Sequence, residues 1–186
     1  MKIGVVSDTH GDFAAWRRAF EAVLHDCDIV FHCGDALYHG PKFAPGPGHG
    51  SKQLAEDLNR LDAPLLIVKG NGDSEVDSLV IEAPIQSPYA LAQIDGKRYL
   101  ATHGHLQPLD ETLALARKWG IDYLLTGHLH VPSLCRVGGL THLNPGTTTY
   151  PLAQDPALAV PTCAFIEAGE ACIVNLETGV ELEGLG

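Results

Sequence analysis

Basic residues are scarce in this chain: 12 Lys and Arg stand against 23 Asp and Glu, a formal net charge of −11. That balance leaves no cationic footprint, so tight backbone-driven binding to nucleic acid or to an anionic membrane is disfavoured. Bound divalent cations would still give an acidic protein a local attraction for phosphate. Cysteines are few and follow no pairing pattern. The five, Cys27, Cys33, Cys135, Cys163 and Cys172, form no C-x-x-C, and their odd number leaves any disulfide framework incomplete. A reducing, cytoplasmic compartment is the expectation. No run reaches the roughly 18 apolar residues of a membrane span. Met1 to Val6 passes directly into Ser7-Asp8-Thr9-His10, with no room for the apolar region of a signal peptide. Repeats and low-complexity tracts are also missing.

What is present is an ordinary globular composition, 45% hydrophobic and 19% charged. A length of 186 residues fits one domain, 1–186, with a sizeable core. Lys2-Ile3-Gly4-Val5-Val6 reads as a buried strand, and Phe13, Trp16, Phe20, Val23 and Leu24 follow at helical spacing, with Asp12 placed to cap that helix. Ile29 to His32 reads as a second strand. Leu54, Leu58 and Leu61 mark a helix after a Ser51 cap, and Pro64 to Lys69 makes a third strand. The first 70 residues therefore read β-α-β-α-β, which demands parallel pairing through helical crossovers.

The later chain changes character. Tyr89–Ile94 and Lys97–Thr102 flank Asp95-Gly96, a hairpin turn. A helix near Asp110–Lys118, a strand at Asp122–Thr126, and short strands at Ser133–Val137, Leu140–Leu143, Thr162–Glu167 and Ala171–Leu176 follow. The fold class expected is α/β: two mixed β-sheets packed as a sandwich with helices on the outer faces. Edge strands in the C-terminal half offer a route to a homo-oligomer without fixing one. Tyr38 to Gly50, with three prolines and four glycines, is a long irregular loop of the kind that often carries function.

Five polar clusters follow strand-like runs, where α/β folds collect their active groups: Asp8-Thr9-His10, Gly34-Asp35, Gly70-Asn71-Gly72-Asp73, Thr102-His103-Gly104-His105 and Gly127-His128-Leu129-His130. Any one is weak evidence. Together they offer carboxylate, amide and imidazole donors without a thiolate cluster, which suits hard or borderline divalent metals rather than a structural zinc. At period two, D-x-H and H-x-H place both side chains on one side of an extended segment.

In this order and spacing the clusters resemble the calcineurin-like metallophosphoesterase superfamily, and most closely its YfcE-type bacterial and archaeal phosphodiesterases. The likeness covers nearly the whole chain, including Leu37-Tyr38-His39-Gly40-Pro41, Asn71 to Asp77 and Asn144-Pro145-Gly146. It implies the metallophosphoesterase fold and two divalent metal ions. Asp8, His10, Asp35 and His130 would hold one, and Asp35, Asn71, His103 and His128 the other, with Asp35 bridging. Manganese is the metal expected, with iron, zinc, nickel or cobalt also compatible. The implied reaction is hydrolysis of a small or nucleotide-like phosphodiester by in-line attack of a metal-bridging hydroxide.

One position departs from much of the superfamily: Gly72 stands where many members carry a His that protonates the leaving group. YfcE-type members share the gap. His39 or His105 is the expected substitute proton donor or phosphate contact, alongside Asp35 and Asn71. Asp73 reads either as a carboxylate orienting His103 or another ligand, or as a turn residue. Asn144-Pro145-Gly146 reads as a turn, His32 and Cys33 as packing, and Trp16 and Phe20 as core. The resemblance also keeps a phosphomonoesterase, a nuclease and a binding scaffold like the retromer subunit as alternatives. The retained donors weigh against the scaffold, and the acidic charge against the nuclease.

Overall fold

A computed structural model describes residues 1–182; positions 183–186 of the expected domain lie outside the described residues. Strands β1 (Lys2–Val6), β2 (Ile29–His32), β3 (Leu65–Val68) and β4 (Ile85–Gln86) run parallel, and β10 (Thr162–Glu167) and β11 (Glu170–Asn175) extend them antiparallel in the order β11-β10-β1-β2-β3-β4. A second sheet has the order β5-β6-β7-β9-β8, from β5 (Ala90–Ile94), β6 (Lys97–Ala101), β7 (Tyr123–Leu125), β8 (Pro132–Val137) and β9 (Leu140–Pro145). Its centre, β6-β7-β9, is parallel, and its edges are antiparallel. Both sheets are mixed, as expected. The two-residue β4 escaped the sequence reading because so short a run carries no period.

Alternation along the strands sets the layers. Ile3, Val5, Phe31 and Val68 face Tyr99, Ala101, Tyr123, Leu125 and Leu143 across the sandwich. Val6, Val30 and Ile67 face outward onto Trp16, Ala19, Leu54 and Leu58 of helices α1 (Phe13–Ala22) and α2 (Ser51–Leu58). Leu100, Leu124 and Leu140 meet Ala116 of α3 (Leu109–Lys118) on the opposite outer face. Central strands are thus buried on both sides, which is why they read as continuous apolar runs. No helix among the described residues is long and apolar enough to cross a membrane.

Asp12 caps α1 as expected, its carboxylate accepting from Ala15 N at 2.9 Å. Ser51 does not cap α2. Gly50 occupies that position, and the Ser51 hydroxyl donates instead to Leu37 O at 2.6 Å, tying the helix start to the segment that leaves the site.

Candidate metal centre

Five parallel strands end at one edge of the sandwich, and the polar clusters lie just beyond them. Asp8 follows β1, Asp35 follows β2, Asn71 follows β3, His103 follows β6 and His128 follows β7. The crossovers α1 and α2 return the first three strands in parallel, so their C-terminal ends share an edge.

The side chains do not converge by the extended geometry that the period-two spacing suggests. Asp8, His10, Asp35, His128 and His130 all adopt left-handed backbone, with φ of 53°, 47°, 56°, 69° and 57°. Among the described residues only Asp95 and Ala168 join them as non-glycine positive-φ positions, so the strain concentrates at the candidate ligands. Each such residue costs on the order of 1–3 kcal/mol and persists only where its surroundings fix it. Backbone bonds between two loops do this here: Asp8 N, His10 N and Gly11 N donate to Gly34 O, Asp35 O and Ala36 O at 2.8–3.0 Å.

Three histidines are oriented alike. Nδ1 of His10, His103 and His130 lies 2.7 Å from the carbonyls of Tyr38, Cys33 and Tyr150. A carbonyl only accepts, so each Nδ1 carries a proton and each ring turns Nε2 inward, where a neutral ring offers its lone pair. Nε2 of His10 and His130 then stand 3.0 Å apart, a contact that either a shared proton or a cation between two lone pairs satisfies. Asp8 splits its carboxylate. Oδ2 accepts from Ser7 Oγ and from His128 N, while Oδ1 is buried without a hydrogen-bond partner, 3.2 Å from His130 Nε2, 3.6 Å from His10 Nε2 and 4.0 Å from His103 Nε2. Asp35 is similar: Oδ1 accepts from Gly72 N at 2.7 Å, and Oδ2 sits 3.5 Å from His103 and 3.9 Å from His10.

Two groups of donors result, Asp8-His10-His130 and Asp8-Asp35-His103, each with its ligand atoms within 4.8 Å of one another. Asn71 Oδ1 lies 3.1 Å from His103 Nε2, and the His128 ring packs 5.1 Å from that of His103. Asp8 is common to both groups, and Asp35 Oδ2 also stands between a histidine of each. Burial would push the Asp8 carboxyl up, but its contacts with His10 and His130 outweigh this and hold it well below the usual range. Burial disfavours a charged His103 too, yet Asp35 and Asp8 raise that imidazole to about 9. Buried anions so poorly supplied with Lys or Arg need a cation, and the orphaned Asp8 oxygen with the converging lone pairs fits divalent metal.

Glycines make the approach possible. At Gly34, φ is +97° and a Cβ would stand 2.7 Å from His103 Nδ1; at Gly127 it would stand 2.9 Å from Asp8 Oδ2. Asp73 is not a partner of His103. Its carboxylate accepts from Asp35 N, Ala36 N and Gly70 N at 2.7–2.8 Å, so it fixes the backbone that presents Asp35 and Asn71. Asn144 does more than turn the chain: its Nδ2 donates to Gly127 O at 2.9 Å, bracing the His128–His130 segment. His32 and Cys33 are fully buried packing residues, as read.

The open side forms a cavity of about 220 Å³ lined by His10, Asp35, His39, Phe43, Asn71 and His130, among others. The Tyr38–Gly50 loop supplies one wall, with Phe43 stacked on Tyr150 at 4.3 Å. His39 reaches this wall. His105 stands behind, its ring 5.3 Å from His103 and its Nδ1 buried without a partner.

Comparison with known proteins gives this geometry its class. Residues 1–169 match the family model of the calcineurin-like phosphoesterase superfamily domain. Phosphodiesterase YfcE of Escherichia coli K12 is 34% identical over 158 residues, 84% of each chain. The chain belongs to the calcineurin-like phosphoesterase superfamily. The solved structure of the E. coli phosphoesterase Yfce superposes with a TM-score of 0.83 at 26% identity, covering 98% of this chain and 97% of that one. Vacuolar protein sorting 29 from Cryptosporidium parvum shares the fold at a TM-score of 0.69 and 18% identity, covering 97% of this chain and 94% of its own. At that identity the likeness concerns architecture only.

Proposed function

We propose that the chain is a dinuclear metal-dependent phosphodiesterase, acting as one domain on a small or nucleotide-like diester. The observation that carries the reading is the convergence of three Nδ1-anchored imidazoles on the free oxygens of Asp8 and Asp35. The YfcE relative, a phosphodiesterase at 34% identity, supports the reaction class. Asp8, His10, Asp35 and His130 would hold one cation, and Asp35, Asn71, His103 and His128 the second. Such cations, manganese first among them, would supply Lewis-acid charge for the phosphoryl oxygens and a water acidic enough to attack phosphorus in line.

The chain's own residues supply position and proton traffic. Carbonyls of Tyr38, Cys33 and Tyr150 hold each imidazole as an inward donor. Gly72 brings a backbone N–H to Asp35 Oδ1 but offers no acid. Of the two substitutes, His39 lines the cavity and His105 does not, which favours His39 as the proton donor to the leaving oxygen.

The test compares bis-p-nitrophenyl phosphate, p-nitrophenyl phosphate and single-stranded DNA with added manganese. Diester turnover that chelation removes is expected. No turnover with any divalent metal, together with no metal retained, would sink the reading in favour of a scaffold.

A further inference from the structure

The cavity over the metal ligands, about 220 Å³, is smaller than the roughly 300–1,000 Å³ of ordinary small-molecule sites, so it has room for a phosphoryl group and little else. Beside it lies a groove of about 790 Å³ between α2 and the segment 72–80. The two share Tyr38 and Gly72, so they adjoin between a tyrosine and a position that carries no side chain. A Cβ at position 72 would stand 3.2 Å from Asp35 Oδ1, so a side chain there would crowd the Asp35 carboxylate. Absence of a side chain at Gly72 therefore has a second consequence besides the missing acid: it leaves the border between the phosphoryl site and the groove clear on that side.

The groove's chemistry is readable. Tyr38, Val76 and Val80 contribute apolar surface at 46%, 63% and 46% exposure, gathered along one groove. Two of its polar groups are engaged internally, the Ser51 hydroxyl donating to Leu37 O and Asp77 accepting from Ser74 N, while Lys52 lies 3.9 Å from Glu56. With Lys52 the one cationic residue in the wall, set against Glu56 and Asp77, a second phosphate or a polyphosphate finds no attraction there.

We propose that this groove is the substrate-specificity subsite: it receives a large apolar or aromatic, uncharged ester group of the diester, with Val76 and Val80 as its specificity-determining residues. The assignment rests on the phosphodiesterase reading above. Burial of a phenyl-sized group against these side chains favours it over a methyl group by about tenfold or more.

Two substrates with a common leaving group isolate the effect, methyl p-nitrophenyl phosphate and phenyl p-nitrophenyl phosphate, because the groove is asked only about the group that stays. The wild-type chain with manganese should show a kcat/KM ratio of at least about tenfold for the phenyl ester. Val76→Asp/Val80→Asp should bring that ratio close to one, the phenyl ester losing about tenfold more than the methyl ester. Calorimetry with phenylphosphonate and methylphosphonate reads the same preference without turnover. Equal handling of the two groups by the wild type, or a preference that survives the double substitution, overturns the assignment. So does a change of sedimentation in the variant with the ratio intact, which would mark the groove as a contact between copies. If neither ester is cleaved but phenylphosphonate still binds preferentially and loses that preference in the variant, the groove stands and the phosphodiesterase reading falls. A double variant that fails to fold is replaced by Val76→Ser and Val80→Ser singly, each expected to lower the ratio.

Discussion

Asp73→Asn is a nearly isosteric change at a residue that touches no proposed ligand side chain. One carboxylate oxygen accepts from Asp35 N at 2.8 Å and Gly70 N at 2.7 Å, and the other from Ala36 N at 2.7 Å. An amide has one acceptor oxygen. Oriented to keep the pair, it turns its NH2 toward Ala36 N–H, leaving a buried donor unsatisfied at about 1–3 kcal/mol, and the two surviving bonds lose their ionic character. Burial already pushes the Asp73 carboxyl above its ordinary value, so removing the charge returns part of that loss. A net destabilisation of ~2–3 kcal/mol is expected. Because the same bonds set the backbone of Asp35 and the entry to Asn71, manganese affinity should fall by about 10–100-fold, the usual cost of losing a group that orients a ligand. Urea unfolding of the metal-free protein and calorimetric manganese titration measure the two effects. Stability lost with metal affinity unchanged would refute the positioning role, and neither effect would refute the hydrogen-bond reading altogether.

Asp35→Asn should weaken both proposed cation sites and abolish diester turnover; substantial residual kcat would remove Asp35 as the shared ligand. Gly127→Ala should cut metal affinity and stability together, since its Cβ would stand 2.9 Å from both Asp8 Oδ2 and Cys33 O, and thermal unfolding with and without manganese reads both. Two histidines outside the ligand set tie stability to pH. His32 is fully buried, accepts from Gly34 N at Nδ1 and faces Thr9 at Nε2, so a second proton has no acceptor; burial holds it at about 4. Burial likewise lowers His142 to about 4. Unfolded, both titrate near 6.5, so between about 4 and 6.5 the unfolded chain binds more protons. The contribution of these two histidines should be fully present above that window and fall as pH drops through it, by ~3 kcal/mol per histidine over the whole span. His142→Gln should reduce the slope of metal-free stability against pH; an unchanged slope would remove His142 from this account.

Much of the architecture was legible because it is written in local patterns. Apolar runs at Lys2–Val6, Ile29–His32 and Pro64–Lys69 alternating with the helical stripe of Trp16 and Phe20 and that of Leu54 and Leu58 require parallel crossovers, and Asp95-Gly96 requires a hairpin. The polar clusters were legible for the same reason, each standing just past a strand. Ser51 was misread because a capping residue one position off leaves the same composition. Which ligand Asp73 orients was not legible, because its three partners are backbone N–H groups, which no sequence displays.

Sequence by itself thus determined which donors exist and at which strand ends they gather. Tertiary structure alone decided how they point. Asp8, His10, Asp35, His128 and His130 sit in left-handed backbone that local preference disfavours and that contacts with distant segments hold: Asp8 to Gly11 against Gly34 to Ala36 for the first three, Asp8 Oδ2 for His128 N and Leu152 N for His130 O. The carbonyls that aim His10 and His103 come from residues 28 and 70 positions away, and the N–H that fixes Asp8 from one 120 positions away. Orientation at a metal centre is a sum of such distant contacts, and only the folded chain brings them within reach of one another.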